Sequence, residues 1–177
     1  MKNITIFLMA LCFYTNNALA ADEYEYTPYL GVGYDFSHTS RAKDTADYSA
    51  AQVYIGSDYS RYFGTELFFA QSDNNKKGSA VKTSYRAYGL DLAAYLPLTD
   101  GFSLLATAGI EERVLKRKLY SEKHRNEHGY GYRFGGGLRY NVTENWRIRT
   151  VARYINFDGI SGVRHAAEYT TGIEYVF

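Results

Sequence analysis

Eight stretches of about ten residues decide what this chain can fold into: along each, side chains alternate in character, and one of the two phases carries no charge. They fall at about 26–37, 48–57, 62–72, 84–97, 102–112, 129–140, 146–155 and 166–177. In the fourth the uncharged phase reads Tyr88, Leu90, Leu92, Ala94 and Leu96. In the sixth it reads Tyr132, Phe134, Gly136, Leu138 and Tyr140, and in the eighth Ala167, Tyr169, Thr171, Ile173, Tyr175 and Phe177. Successive side chains of a strand point to opposite faces, so each stretch offers one face fit for lipid and one that is not. Beyond residue 20 no apolar run approaches the ~20 residues that a helix needs to cross a bilayer. The pattern predicts an all-β chain, an eight-stranded antiparallel up-and-down transmembrane β-barrel.

The alternate phase holds the ionised groups. Asp35, Glu66, Asp91, Glu111, Glu168 and Glu174 share it with Arg133, Arg139, Arg147, Arg149 and Arg153, among glycines such as Gly31, Gly89, Gly109 and Gly137. In a soluble barrel with an apolar interior such a set is costly unless paired, whereas in a lipid-embedded barrel it forms the polar core. Guanidiniums offer a planar fork to carboxylates, so an interior lattice of ion pairs is expected. Neighbouring strands are expected to supply the partners: Glu111 lies beside the strand of Arg133, and Arg147, Arg149 and Arg153 lie between Arg139 and the acids of the last strand. Eight strands enclose room only for side chains or one small ligand, which excludes bulk diffusion. A narrow ion path past Arg149 and Arg153 is one alternative. A soluble lipocalin-like barrel is another, and it predicts the opposite facing, with the apolar phase lining a ligand cavity.

Aromatic residues gather at both ends of the stretches. Phe63, Phe102, Tyr140, Trp146, Tyr175 and Phe177 mark one rim, and Phe36, Phe69, Tyr88, Tyr132, Tyr154 and Tyr169 the other, as two interfacial girdles would require. Connections 57–61, 98–101 and 141–145 are short and belong on the periplasmic side. Longer ones, 38–47, 73–83, 113–128 and 156–165, belong outside. The third long loop, Arg113 to His128, carries six of the chain's 20 Lys+Arg residues. Lys116, Arg117, Lys118, Lys123 and Arg125 therefore form a candidate binding site for anionic surfaces such as lipopolysaccharide or the glycans of another cell.

Residues 1–20 read as an export signal, with Lys2 at the start, an apolar run from Ile4 to Tyr14, and Ala18-Leu19-Ala20 at the spacing a signal peptidase reads. The expected organisation is a cleaved signal peptide at 1–20 and one barrel domain at 21–177. Cleavage after Ala20 removes Cys12, the chain's one cysteine, and with it any disulfide, thiol nucleophile or thiolate metal site. It also removes Lys2, which brings the basic residues level with the 19 Asp+Glu. No charge excess marks a nucleic acid as partner, and no cofactor is expected.

Several stretches together resemble the small outer-membrane β-barrel families of Gram-negative bacteria, the OmpA-like and opacity-protein-like porin families. They are Tyr29-Leu30-Gly31-Val32-Gly33-Tyr34, Tyr62-Phe63-Gly64-Thr65-Glu66-Leu67, Tyr88-Gly89-Leu90-Asp91-Leu92 and Gly135-Gly136-Gly137-Leu138-Arg139-Tyr140. The most specific likeness is at the end. Tyr169, Thr171, Ile173, Tyr175 and Phe177 resemble the alternating carboxy-terminal signal recognised by the outer-membrane assembly machinery. The resemblance implies a monomer in the cell outer membrane, surrounded by its lipids and lipopolysaccharide. No periplasmic peptidoglycan-binding domain is expected after the barrel, so anchoring to the cell wall is not implied.

Members of these families are variously described as structural tethers, adhesins, serum-resistance factors and weak pores. The expected function is that of a non-enzymatic outer-membrane surface protein, with a structural or adhesive role toward host-cell or environmental surfaces. A narrow ion-conducting pore and a lipid A-modifying enzyme are the alternatives. The enzyme would rest on His38 and Ser40, the nearest approach to a nucleophile and base at the outer rim. His124 and His128, four apart, lack the Glu that completes a His-Glu-x-x-His metal site.

Overall fold

The computed structural model describes residues 26–41, 45–73, 81–119, 124–159 and 163–177, so the expected signal segment and Lys123 lie outside the described residues. Each alternating stretch is a strand: β1 (Thr27–Arg41), β2 (Thr45–Asp58), β3 (Phe63–Ser72), β4 (Val81–Pro97), β5 (Phe102–Leu119), β6 (His124–Asn141), β7 (Trp146–Asp158) and β8 (Val163–Val176). Every strand pairs antiparallel with the next, and β8 returns to β1 to close the barrel. Closure satisfies the whole ladder internally, as hydrocarbon demands, because no water there can serve an open edge.

The facing is the membrane one. Tyr34, Leu92, Ile110, Phe134 and Tyr154 are exposed, whereas Glu66, Asp91, Glu111, Arg133, Arg139, Arg147, Arg149, Arg153, Glu168 and Glu174 are all buried inside. The lipocalin-like facing is thereby overturned. Both girdles are present at the expected heights. At the periplasmic end Phe102 packs on Tyr140 across β5 and β6, and Trp146 lies edge-on to Tyr175, 5.1 Å between ring centres. At the outer end Phe36 is registered with Tyr169, and Phe69 with Tyr88. Between them the outward phase runs from Tyr140 to Tyr130 on β6 without a charge. At ~3.3 Å per residue and a tilt of about 40°, ten steps span roughly 25 Å, the height of the apolar band in such barrels.

Strand boundaries at the periplasmic end match the alternation to within a residue or so, but at the outer end every strand except β3, which stops at Ser72 as expected, runs on into what its pattern marks as loop. The largest correction concerns residues 113–128. β5 continues to Leu119, β6 begins at His124, and their pairing extends from Phe102↔Tyr140 to Lys118↔His124. β4 accompanies them, with Val81 opposite Leu119. The reason is physical. An uncharged phase is required only where lipid touches the wall, whereas the ladder persists into water wherever backbone groups still find partners.

Candidate functional site

Two regions could carry function: the charged lumen and the outer ribbon. In the lumen the expected lattice exists, and it is larger than expected. Among the described residues seven acids and six arginines are buried there, the additions being Asp58 and Arg113. Asp58 was expected in a periplasmic turn and Arg113 in an outer loop. Both continue the inward phase of their strands, Asp58 two residues past Gly56 and Arg113 two past Glu111, and that continuation is the signal that finds them.

Pairing mostly crosses the lumen instead of joining neighbours. At the periplasmic end Arg139 and Arg147 both donate to one oxygen of Asp58, at 2.9 and 2.7 Å. In the middle Arg149 grips Glu66 with both terminal nitrogens, at 2.5 and 2.7 Å, and its Nε lies 3.3 Å from Glu174. Higher up, Arg133 stands between Asp91, Glu111 and Glu168 at 3.2 to 3.3 Å, and Arg113 donates to Glu111 and Glu168. The expected Glu111–Arg133 pair is therefore present. Arg147, although registered with Glu174, reaches Asp58 on the far wall. The cause lies in charge segregation. Glu66 stands directly opposite Asp91 on β3 and β4, and Arg139 opposite Arg149 on β6 and β7. Like charges in register repel, and each relieves the repulsion by reaching across a lumen narrow enough for one guanidinium to span. Tyrosine and phenylalanine rings back the guanidiniums: Tyr95 lies under Arg139 at 3.6 Å, Tyr54 under Arg149 at 3.8 Å and Phe68 under Arg133 at 3.9 Å.

Above this lattice the lumen turns apolar. Tyr48 and Tyr85 meet edge to face at 5.5 Å and pack with Leu115, while Ile155, Phe157 and Ala166 close the opposite side. A path for hydrated ions would have to break both layers. Refolded into a planar bilayer, the barrel is expected to show no steady conductance, and R149A/E66A should produce discrete openings only when Tyr48 and Tyr85 are replaced with alanine as well. Regular openings of the unaltered protein would show that the lattice leaves a wet gap.

Outside, Lys116 is half-buried on β5, and Arg117 and Lys118 follow it in the same strand. The register sets Lys116 opposite Asn126, Arg117 opposite Arg125 and Lys118 opposite His124, with Lys82 of β4 on the other side of Lys118. Four of the five predicted basic residues thus belong to one three-stranded sheet standing above the apolar band. Lys123 lies outside the described residues. On the rim, His38 Nδ1 lies 2.6 Å from Asp47 Oδ1, and His128 Nδ1 lies 3.0 Å from Glu112, which also accepts from Tyr88. No hydrogen bond joins His38 to Ser40 among the described residues, and the His38 ring is held by Asp47. No cluster of three metal-ligating side chains occurs among the described residues.

The family model of the outer membrane protein beta-barrel domain matches residues 5–177. Solved structures share the fold at low identity. Neisserial surface protein A superposes with a TM-score of 0.75 at 14% identity, over 85% of this chain and 97% of that one. Ail, the attachment invasion locus protein of Yersinia pestis, crystallised with the heparin analogue sucrose octasulfate, gives 0.66 at 15% identity, over 87% and 100%. A major outer membrane protein from Thermus thermophilus gives 0.65 at 11%, over 87% and 100%. No curated protein sequence matches the chain.

Proposed function

We propose that this chain, which belongs to the outer membrane protein beta-barrel domain family, acts at the Gram-negative cell surface by contact and not by catalysis or transport. Its contact element is the β4–β5–β6 ribbon, and its partner is an anion-dense surface, either the phosphates of lipopolysaccharide or sulfated and acidic glycans of another cell. One observation carries the reading: the chain's densest basic run is held in strand register beyond the lipid band, at Lys116, Arg117 and Lys118 on β5 facing Arg125 and His124 on β6. A paired ribbon fixes the spacing of its charges, so an extended polyanion can meet several at once, each exposed contact being weak and screened by salt. The fold relative Ail, with its bound heparin analogue, supports that ligand chemistry. Residues 1–20 serve as the cleaved export signal. The alternating last strand, with Tyr169, Tyr175 and Phe177 facing outward, is what the assembly machinery takes hold of.

The test replaces Lys116, Arg117, Lys118, Lys123 and Arg125 together with Gln and measures binding to cells, heparin and lipopolysaccharide at several salt concentrations. About tenfold weaker binding is expected at low salt, with a flatter salt dependence, and the barrel itself should remain intact. Heparin and lipopolysaccharide measured separately distinguish the two sources of anion. Binding that is unchanged and equally salt-dependent rejects the ribbon as the contact element.

A further inference from the structure

Among the described residues buried in the lumen, seven are acids and six are arginines, and one acid stands outside the lattice. Asp35 is 0% exposed and forms no ion pair in the lattice, and the Thr170 hydroxyl is the one side-chain donor to its carboxylate among the described residues. It is not isolated among apolar groups. Ser37 and Thr39 are the next inward residues up β1 toward the outer mouth, both buried and both with an unpartnered hydroxyl. Gln52 on β2 is 1% exposed with both amide atoms unpartnered. Asp35 is registered with Ala50, and Gln52 is two residues further along the same inner face, a diagonal neighbour. On the other side Asp35 faces Thr170 of β8. That hydroxyl already accepts from Arg153, which is itself drawn toward Asp91 and Glu168.

A desolvated carboxylate must be neutralised, because leaving a charge bare in such an environment costs more than any single contact returns. A proton would satisfy one oxygen of Asp35 and leave the neighbouring oxygens of Ser37, Thr39 and Gln52 as they stand. A small hard cation draws on the two nearest the carboxylate, Gln52 and Ser37, since such ions take carboxylate, amide and hydroxyl oxygens together. One unmatched carboxylate balances one positive charge, and a divalent ion beside it would leave a buried charge as bare as before.

We propose that Asp35, with Gln52 and Ser37, forms a monovalent-cation site beneath the apolar layer of the outer lumen, closed below by the arginine–carboxylate lattice. It is independent of the surface-contact reading, because no ribbon residue takes part. The site makes barrel stability depend on the cation present. With the protein purified in nonionic detergent, thermal unfolding is followed in sodium, potassium and choline chloride at equal ionic strength. At a cation concentration ten times its Kd the folding constant should rise about tenfold over that in choline, which is too bulky to enter. Asp35→Asn should abolish the difference, and the ribbon Gln variant should keep it. Equal stability in all three salts, or a cation effect that survives Asp35→Asn, overturns the proposal. Should Asp35→Asn fail to fold, the sodium NMR line width of the unaltered protein decides: broadening that potassium reverses supports the site, and its absence refutes it.

Discussion

Replacing Arg149 with Leu is expected to destabilise the barrel by about 3–5 kcal/mol, the cost of leaving a buried partner charge uncompensated. Arg149 holds both oxygens of Glu66 and approaches Glu174, and all three are buried. Its loss strands two carboxylates deep in the lumen, where Tyr29 is the remaining donor to Glu66. Glu66→Leu alone should cost a similar amount by stranding the guanidinium. Combining the two changes should cost less than their sum, since apolar side chains of like volume replace the desolvated pair and only Glu174 is left without its guanidinium. The chain's single tryptophan, Trp146 in the periplasmic girdle, reports unfolding in denaturant titrations of the detergent-bound protein. A loss below about 1 kcal/mol for Arg149→Leu is what an exposed, solvent-screened pair shows, and it would mean that the lumen is wet and the lattice incidental.

The fold was readable in the sequence because the membrane imposes its rule residue by residue. Leu90, Leu92 and Ala94 must tolerate lipid, Asp91 and Ala93 need not, and eight repetitions of the alternation leave one architecture. What the alternation could not reveal falls into two kinds. Above the headgroups the rule lapses, so Arg113 and Leu115 looked like loop although they continue the inner face of β5, and the ribbon that lifts Lys116 to Lys118 out of the membrane was invisible. Inside, facing specifies which residues enter the lumen but not whom they meet there. Arg147 has Glu174 beside it in register and still pairs with Asp58, 89 positions away in the chain. Such choices depend on the lumen's width and on repulsion between like neighbours, both of which are properties of the closed barrel. The lumen's charges hold the barrel closed, and the proposed contact role rests on the ribbon above them.

The sharpest test of the facing comes from two adjacent glycines on β6. Gly137→Ala is expected to cost at least about 3 kcal/mol or to block folding, whereas Gly136→Ala should stay within about 0.5 kcal/mol of the parent. A Cβ on Gly137 points into the lumen and would lie 2.0 Å from the Thr150 carbonyl oxygen and 2.8 Å from the Val151 Cα. Both obstacles are backbone of β7, so no rotamer change relieves them, and only a separation of β6 from β7 would make room. That separation would break ladder bonds between strands which also carry Arg133, Arg139, Arg149 and Arg153. A Cβ on Gly136 points to lipid and meets nothing nearer than the Leu105 carbonyl oxygen at 3.8 Å. The added methyl there restricts the unfolded chain without straining the folded one. Folded fractions are read from the mobility of unheated samples in detergent gels, and stabilities from denaturant titration. A slip of one residue in the register of β6 would exchange the two outcomes, because it turns every side chain of the strand to the other face. A tolerant Gly137 beside an intolerant Gly136 would therefore place the arginines of β6 against the lipid and dismantle the lattice that Arg133 and Arg139 complete.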